Sequence, residues 1–165
     1  MKTTILTIVM ALISMTAYAQ KFTYFNEVET IPGLIKISPK NQTKIYYKGS
    51  DHVFYIDDKV GIMKEMAAEF FQTFNNIKDS EIDNFSKLSV QICFSGKFKT
   101  DYVAFKFKDK YKSFMLKNEK KFYDYAMSID MTKHKHLLYY KETFAGGTLE
   151  FPIKSFIKYR DEVKK

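Results

Sequence analysis

The sequence predicts an α+β domain, a largely antiparallel sheet with two main helices packed on one face. Three observations carry this. In residues 57–77 and 118–129, apolar side chains recur at spacings of three and four, the period of an amphipathic helix. In residues 88–95 and 101–111 they alternate with polar ones, the period of a half-buried strand. Between strand candidates lie short stretches with Gly, Pro, Ser or Asp, which suit hairpin turns.

The N-terminus comes first in order. Lys2 precedes an apolar run over 5–15, and Ala17-Tyr18-Ala19 makes an A-x-A cleavage pattern. Residues 1–19 therefore read as a secretory signal peptide, cut before Gln20. An apolar run of about eleven residues falls short of the ~20 needed to cross a bilayer. The expectation is an exported chain, periplasmic or extracellular, with residues 20–165 as a single domain and no transmembrane segment. Cys93 is the only cysteine, so no internal disulfide is available.

Along the mature chain, Phe22, Tyr24 and Val28 at even spacing suggest a first strand over 21–29. Ile31-Pro32-Gly33 ends it, and 34–38 follows as a short strand before Pro39. Residues 44–48 and 52–57 flank Gly49-Ser50-Asp51, a hairpin signal. Asp57 or Asp58 caps a helix to about Ile77, with Val60, Met63, Ala67, Phe70, Phe71, Phe74 and Ile77 on its apolar face. Residues 79–84 read as a polar loop. Val90, Ile92 and Phe94 define a strand face, with Cys93 on the polar side. Gly96 marks the turn into a strand over 101–111. Val103, Phe105 and Phe107 take one face of it, and Lys106, Lys108, Lys110 and Lys112 the other. Asn118 caps the second helix, whose stripe is Phe122, Tyr125, Ala126 and Ile129. Residues 136–141 read as a strand, Gly146-Gly147 as a turn, and 148–151 as the return strand. Ile153, Phe156, Ile157 and Arg160 fit a short helix or an edge strand equally.

Charge narrows the partners. The chain has 27 basic and 19 acidic residues. All the basic residues except Arg160 are lysine. Arginine supplies the planar fork that reads phosphate and guanine bidentately, so a chain with one Arg is a poor nucleic-acid reader. No nucleic-acid partner is expected. From Lys97 to Tyr125, nine lysines interleave with nine aromatics. With the aromatics in the core, the lysines form an exposed basic face. Lys106, Lys108, Lys110 and Lys112 are the candidate ligand-binding residues, for an envelope protein or an anionic glycan or lipid surface.

Other chemistry is thinly marked. His134-Lys135-His136 is an H-x-H. On a strand, residues i and i+2 share a face, so His134 and His136 are the candidate metal ligands. Asp79, Glu81 and Asp83 resemble part of a calcium loop but lack its closing glutamate, since Val90 occupies that position. Cys93 lies near no expected helix N-terminus that would activate a thiolate. No motif of a nucleophilic, zinc-dependent or phosphate-binding enzyme occurs, and nothing calls for a cofactor.

The run VQICFSGKFKTDYVAFKF, followed by the helix NEKKFYDYAMSI, spans Val90 to Ile129. It resembles the C-terminal domain of TonB-type energy-transducing proteins and their small exported relatives, which have a βαββαβ order. The resemblance implies a periplasmic module that recognises protein by strand pairing. The expectation is a non-catalytic binding module of the bacterial cell envelope. The alternatives are a small secreted hydrolase without a recognisable motif and a lysine-mediated binder of anionic surfaces.

Overall fold

The computed structural model describes residues 21–43, 54–140 and 145–163. The predicted signal segment, the run over 44–48, the predicted Gly49-Ser50-Asp51 turn and His52 lie outside them. The chain is α+β, as its periodicities predict. A five-stranded antiparallel sheet has the order β1 (Phe25–Ile31), β2 (Leu34–Pro39), β5 (Thr100–Phe107), β4 (Ser89–Ser95), β7 (Gly146–Pro152), and a separate two-stranded sheet pairs β3 (Phe54–Ile56) with β6 (Leu138–Tyr140).

β1 (Phe25–Ile31) and β2 (Leu34–Pro39) make the first hairpin. Its turn passes through Gly33 at φ 79°, a left-handed conformation that glycine adopts without steric cost. The strand starts later than the even spacing suggests. Phe22 and Phe25 are buried, whereas Tyr24 and Val28 are exposed. The register shifts between Glu27 and Glu29, so Val28 is an extra, bulged residue and alternation fails across it.

β3 (Phe54–Ile56) pairs with β6 (Leu138–Tyr140). Helix α1 (Lys59–Thr73) follows. Asp58 caps it, accepting the N–H groups of Val60 at 3.0 Å and Gly61 at 2.8 Å. Its buried stripe is Ile62, Met66, Ala67, Phe70 and Phe71. Val60 lies outside that stripe and is exposed, because the cap places it in the solvent-facing first turn.

Residues 79–86 are not a loop. They form helix α2 (Asp79–Ser86), which buries Phe85 against Phe70, Phe74 and Phe122. Asp79 and Glu81 in its first turn favour the positive end of the helix dipole. β4 (Ser89–Ser95) and β5 (Thr100–Phe107) form the central hairpin. β5 ends four residues before the predicted 111. The chain then turns through a 3-10 helix (Asp109–Tyr111) into α3 (Lys112–Lys117) and α4 (Glu119–Ser128). Asn118 precedes α4 but does not cap it through its side chain. Its Nδ2 instead donates to the Phe114 carbonyl at 3.1 Å, closing the end of α3.

A second 3-10 helix (Lys135–Leu137) leads into β6. β7 (Gly146–Pro152) begins at the predicted Gly-Gly turn, yet it pairs with β4 rather than with β6. Beyond Pro152 the chain is helical, as α5 (Ile153–Ile157) and α6 (Arg160–Val163). Arg160 anchors this end. Its Nη1 donates to Asp79 Oδ1 at 2.7 Å and its Nη2 to the Ile77 carbonyl at 2.8 Å.

The helices cover one face of the large sheet. Phe105 and Phe151 meet Phe122 and Phe156 across that interface. Phe70, fully buried, lies at the centre, with rings from α2, α4 and α5 around it. Burying each such ring is worth about 1.5–3 kcal/mol. The opposite face of the sheet holds a smaller buried cluster of Cys93, Tyr102 and Ala104.

Candidate functional site

The four predicted lysines do not share a face, because the strand meant to carry them stops at Phe107. Lys106 is on β5, and its register partners are Lys36 and Ser89. Its ammonium pairs with Glu150 on β7, which also accepts the Ser89 hydroxyl at 3.0 Å. Burial pushes the Glu150 carboxyl up. The hydrogen bonds from Lys106 and Ser89 outweigh that and hold it below its ordinary value. Lys108 is exposed just before the first 3-10 helix. Lys110 lies 5.1 Å over the Tyr111 ring. Lys112 starts α3 and pairs with Glu27 of β1 at 2.6 Å.

Lys112 belongs instead to a different basic constellation. A cleft of about 440 Å³ is lined by Lys21, Phe22, Phe25, Asn26, Glu27, Lys40 and Lys112. The N-terminal hairpin builds it. Pairing of Phe25 with Pro39 brings Lys40 beside the start of β1. Two hydrogen bonds fix that corner, from Lys40 N to the Tyr24 carbonyl at 3.0 Å and from Lys40 Nζ to the Phe22 carbonyl at 3.2 Å. The Phe22 ring wedges edge-on against Phe25 and Phe107, giving the cleft an apolar floor. The Tyr24 N–H donates to Glu119 Oε1 at 2.6 Å, tying this segment to α4.

Three ammonium groups and one carboxylate thus surround the cleft, and the carboxylate is already matched by Lys112. Lys21 and Lys40 supply the excess positive charge. A second groove of about 610 Å³ shares Lys21 and adds Thr23, Ser113, Leu116, Lys117 and Glu119. Sequence reasoning singles out Lys112 but not Lys21, Lys40, Asn26 or Glu27. These four come together only through the β1–β2 return, and no local spacing announces that.

The two histidines are not on a strand. His134 precedes the second 3-10 helix and His136 lies within it. Their rings still converge, on the carboxylates of α1. Buried His134 has Nδ1 2.7 Å from Glu65 Oε2, and its Nε2 is 3.4 Å from Glu69 Oε1. Exposed His136 places Nε2 3.1 Å from Glu65 Oε1 and Nδ1 3.0 Å from the Lys133 carbonyl. Burial lowers the His134 proton affinity. Hydrogen bonding and charge from Glu69 and Glu65 reverse this and raise its pKa above the ordinary histidine value. Among the described residues, no group of three or more His, Cys, Asp or Glu side chains is arranged to hold a metal ion. The two predicted metal ligands thus sit in a histidine–carboxylate cluster, with Glu65 between the rings.

Tyr125, fully buried on α4, feels the Glu69 charge. Desolvation first, and that charge second, keep its phenol neutral well above pH 10. Asp79, Glu81 and Asp83 are spread along α2 rather than curled into a loop. Cys93 is buried, with Sγ 3.3 Å from Thr148 Oγ1 on the neighbouring strand.

Among the described residues, no helix is long and apolar enough to cross a membrane. Comparison of the chain with protein-family models, with curated proteins and with solved structures finds no match.

Proposed function

We propose that this protein is an exported, non-catalytic binding module of the bacterial cell envelope, and that its ligand presents an anionic group to the lysine-lined cleft. The observation that supports this reading is the grouping of Lys21, Lys40 and Lys112 around an apolar floor, with one carboxylate among them. Lysines give a point-charge attraction suited to a carboxylate or phosphate on a flexible polymer or headgroup. A chain with a net charge of +8 adds a long-range attraction to such surfaces.

The test is retention of the purified protein on a carboxylated polysaccharide and on phosphatidylglycerol vesicles, at low salt and at high salt. Binding to one of them at low salt, lost at a few hundred millimolar, is the expected result, since screening is strong over that range. Lys21→Gln with Lys40→Gln should weaken it. A variant that binds as wild type, or a wild type that binds neither material, would overturn the reading. A protein captured from envelope extract that survives high salt would favour the strand-pairing mode implied by the resemblance of residues 90–129. The edges for such pairing would be β1 and β7, the outermost strands of the large sheet among the described residues.

A further inference from the structure

The histidine–carboxylate cluster sets a buried imidazole between two carboxylates, an arrangement that favours its charged form. His134 sits between Glu65 and Glu69, and each ring nitrogen faces a carboxylate oxygen, at 2.7 and 3.4 Å. A neutral imidazole carries a single N–H, so one of its nitrogens would turn a lone pair toward an anion. An imidazolium presents an N–H to both. The Nε2 contact is an electrostatic approach rather than an aligned hydrogen bond, and the Nδ1 contact is the short, charge-assisted one.

The residues around the ring are few. α1 contributes Glu65 and Glu69. The connection itself contributes Asp130, Lys133 and His136, and α4 contributes Tyr125. Lys133 Nζ is 3.7 Å from Glu69 Oε1, and His136 shares Glu65. Asp130 is engaged locally by the Thr132 hydroxyl and N–H. Glu65 and Glu69 therefore meet three basic groups, and His134 is the buried one.

The segment held this way is anchored at both ends. Met131 is buried and its N–H donates to Thr100 Oγ1 at 3.0 Å. At the other end the Leu137 carbonyl accepts the Asp57 N–H at 2.9 Å, where β3 meets α1. β6 then pairs with β3, placing Tyr139 opposite Tyr55, with both rings 60% exposed. Between the anchors, His134 is the buried polar tie to α1.

We infer that His134 is a protonation-dependent latch, closed when the imidazole is charged, that clamps the 130–137 connection onto α1 and so steadies the β3–β6 ribbon. The direction follows from linkage. A histidine that binds its proton more tightly when docked stabilises docking fully below its free value near 6.5. That stabilisation fades as pH rises through the docked value. The latch therefore loosens toward alkaline pH, and the loosening reaches the 130–137 connection and its junction with the β3–β6 ribbon rather than the large sheet.

The experiment has two readouts on the wild-type chain. The first is NMR titration of the His134 ring. The second is amide hydrogen exchange at His134, Leu137 and Asp57, corrected for the base dependence of intrinsic exchange. Their N–H groups donate to the Met131, His134 and Leu137 carbonyls. Titration above the ordinary histidine value is expected, with protection at these amides falling several-fold between pH 6 and pH 9. Protection at Val90 and Phe105 in the large sheet should hold. In Glu69→Gln the pH dependence should shrink while the protein stays folded. In His136→Gln it should largely persist, since that ring is exposed. Titration of His134 at or below 6.5, or protection that does not change with pH, would overturn the latch. Both are read on wild type, so a His134→Gln variant that failed to fold would not obscure the answer.

Discussion

Replacing Phe70 with alanine should be among the most damaging single changes to this fold. Phe70 is fully buried in the last turn of α1. Its ring stacks on Phe74 at 4.6 Å and lies edge-on to Phe71 and Tyr125 at 5.2 Å and to Phe85 at 5.8 Å. It also meets Phe156 at 5.8 Å. Truncating a buried phenylalanine costs about 3–5 kcal/mol, from lost transfer energy and from the hole left behind. The upper end applies here. The surrounding rings belong to α1, α2, α4 and α5, and rigid aromatics on four helices cannot all close on one hole. Each aromatic pair adds roughly 0.5–1.5 kcal/mol beyond burial. For a domain of this size, each kcal/mol moves the melting temperature by about 2–4 °C, so a drop of roughly 10–20 °C follows. Urea unfolding followed by circular dichroism and by tyrosine fluorescence measures it without ambiguity, because the chain has no tryptophan. Val60→Ala, on the exposed start of the same helix, is the control and should stay within about ±0.5 kcal/mol. If Phe70→Ala lost less than about 1 kcal/mol, the ring cluster would not be the core of the domain.

Two further outcomes concern polar contacts. Asp58→Ala removes the acceptor for two N–H groups at the start of α1 and should cost about 1 kcal/mol, read by thermal melting. Lys106→Gln should cost about 0.5–1 kcal/mol at pH 7, since its partner Glu150 is partly exposed. Because the Glu150 carboxyl is held below its ordinary value, the pair contributes above the unfolded value of about 4.5 and fades as pH falls. Wild type and Lys106→Gln should therefore converge in stability as pH falls below the value at which folded Glu150 protonates.

Helix α1 and the β4–β5 hairpin are legible in the sequence because each repeats one period for long enough to exclude the other. Helix α2 is not. DSEIDNFS has only Ile82 and Phe85 to mark a face, and its N-cap is Lys78, without a side-chain bond to announce the start. The alternation Phe105-Lys106-Phe107-Lys108 runs on in the sequence past the point where the strand ends. A period-two pattern cannot register that the chain turns at Asp109 into a 3-10 helix. The apolar run after His136 has the same ambiguity, and only its last three residues are strand. The candidate cleft is invisible for another reason. Lys21 and Lys40 are nineteen positions apart and are joined by the tertiary return of a hairpin, whose bulge at Val28 also hides the phase of β1.

The β4–β5 turn carries one more consequence, for how the two sheets are joined. Phe98 sits there with φ 61°, a conformation costing a non-glycine residue roughly 1–2 kcal/mol. Its ring is nonetheless almost fully enclosed, stacked on Phe94 at 5.5 Å and set against Tyr140 at 4.7 Å. The Phe94 stack is local to the hairpin, but the enclosure is completed by Tyr140, on a strand some forty residues further along. The turn is fully covered only when the small ribbon docks, and there Phe54 of β3 also meets Phe94 of β4 at 5.4 Å, so the two sheets are joined through packed rings rather than through a shared ladder.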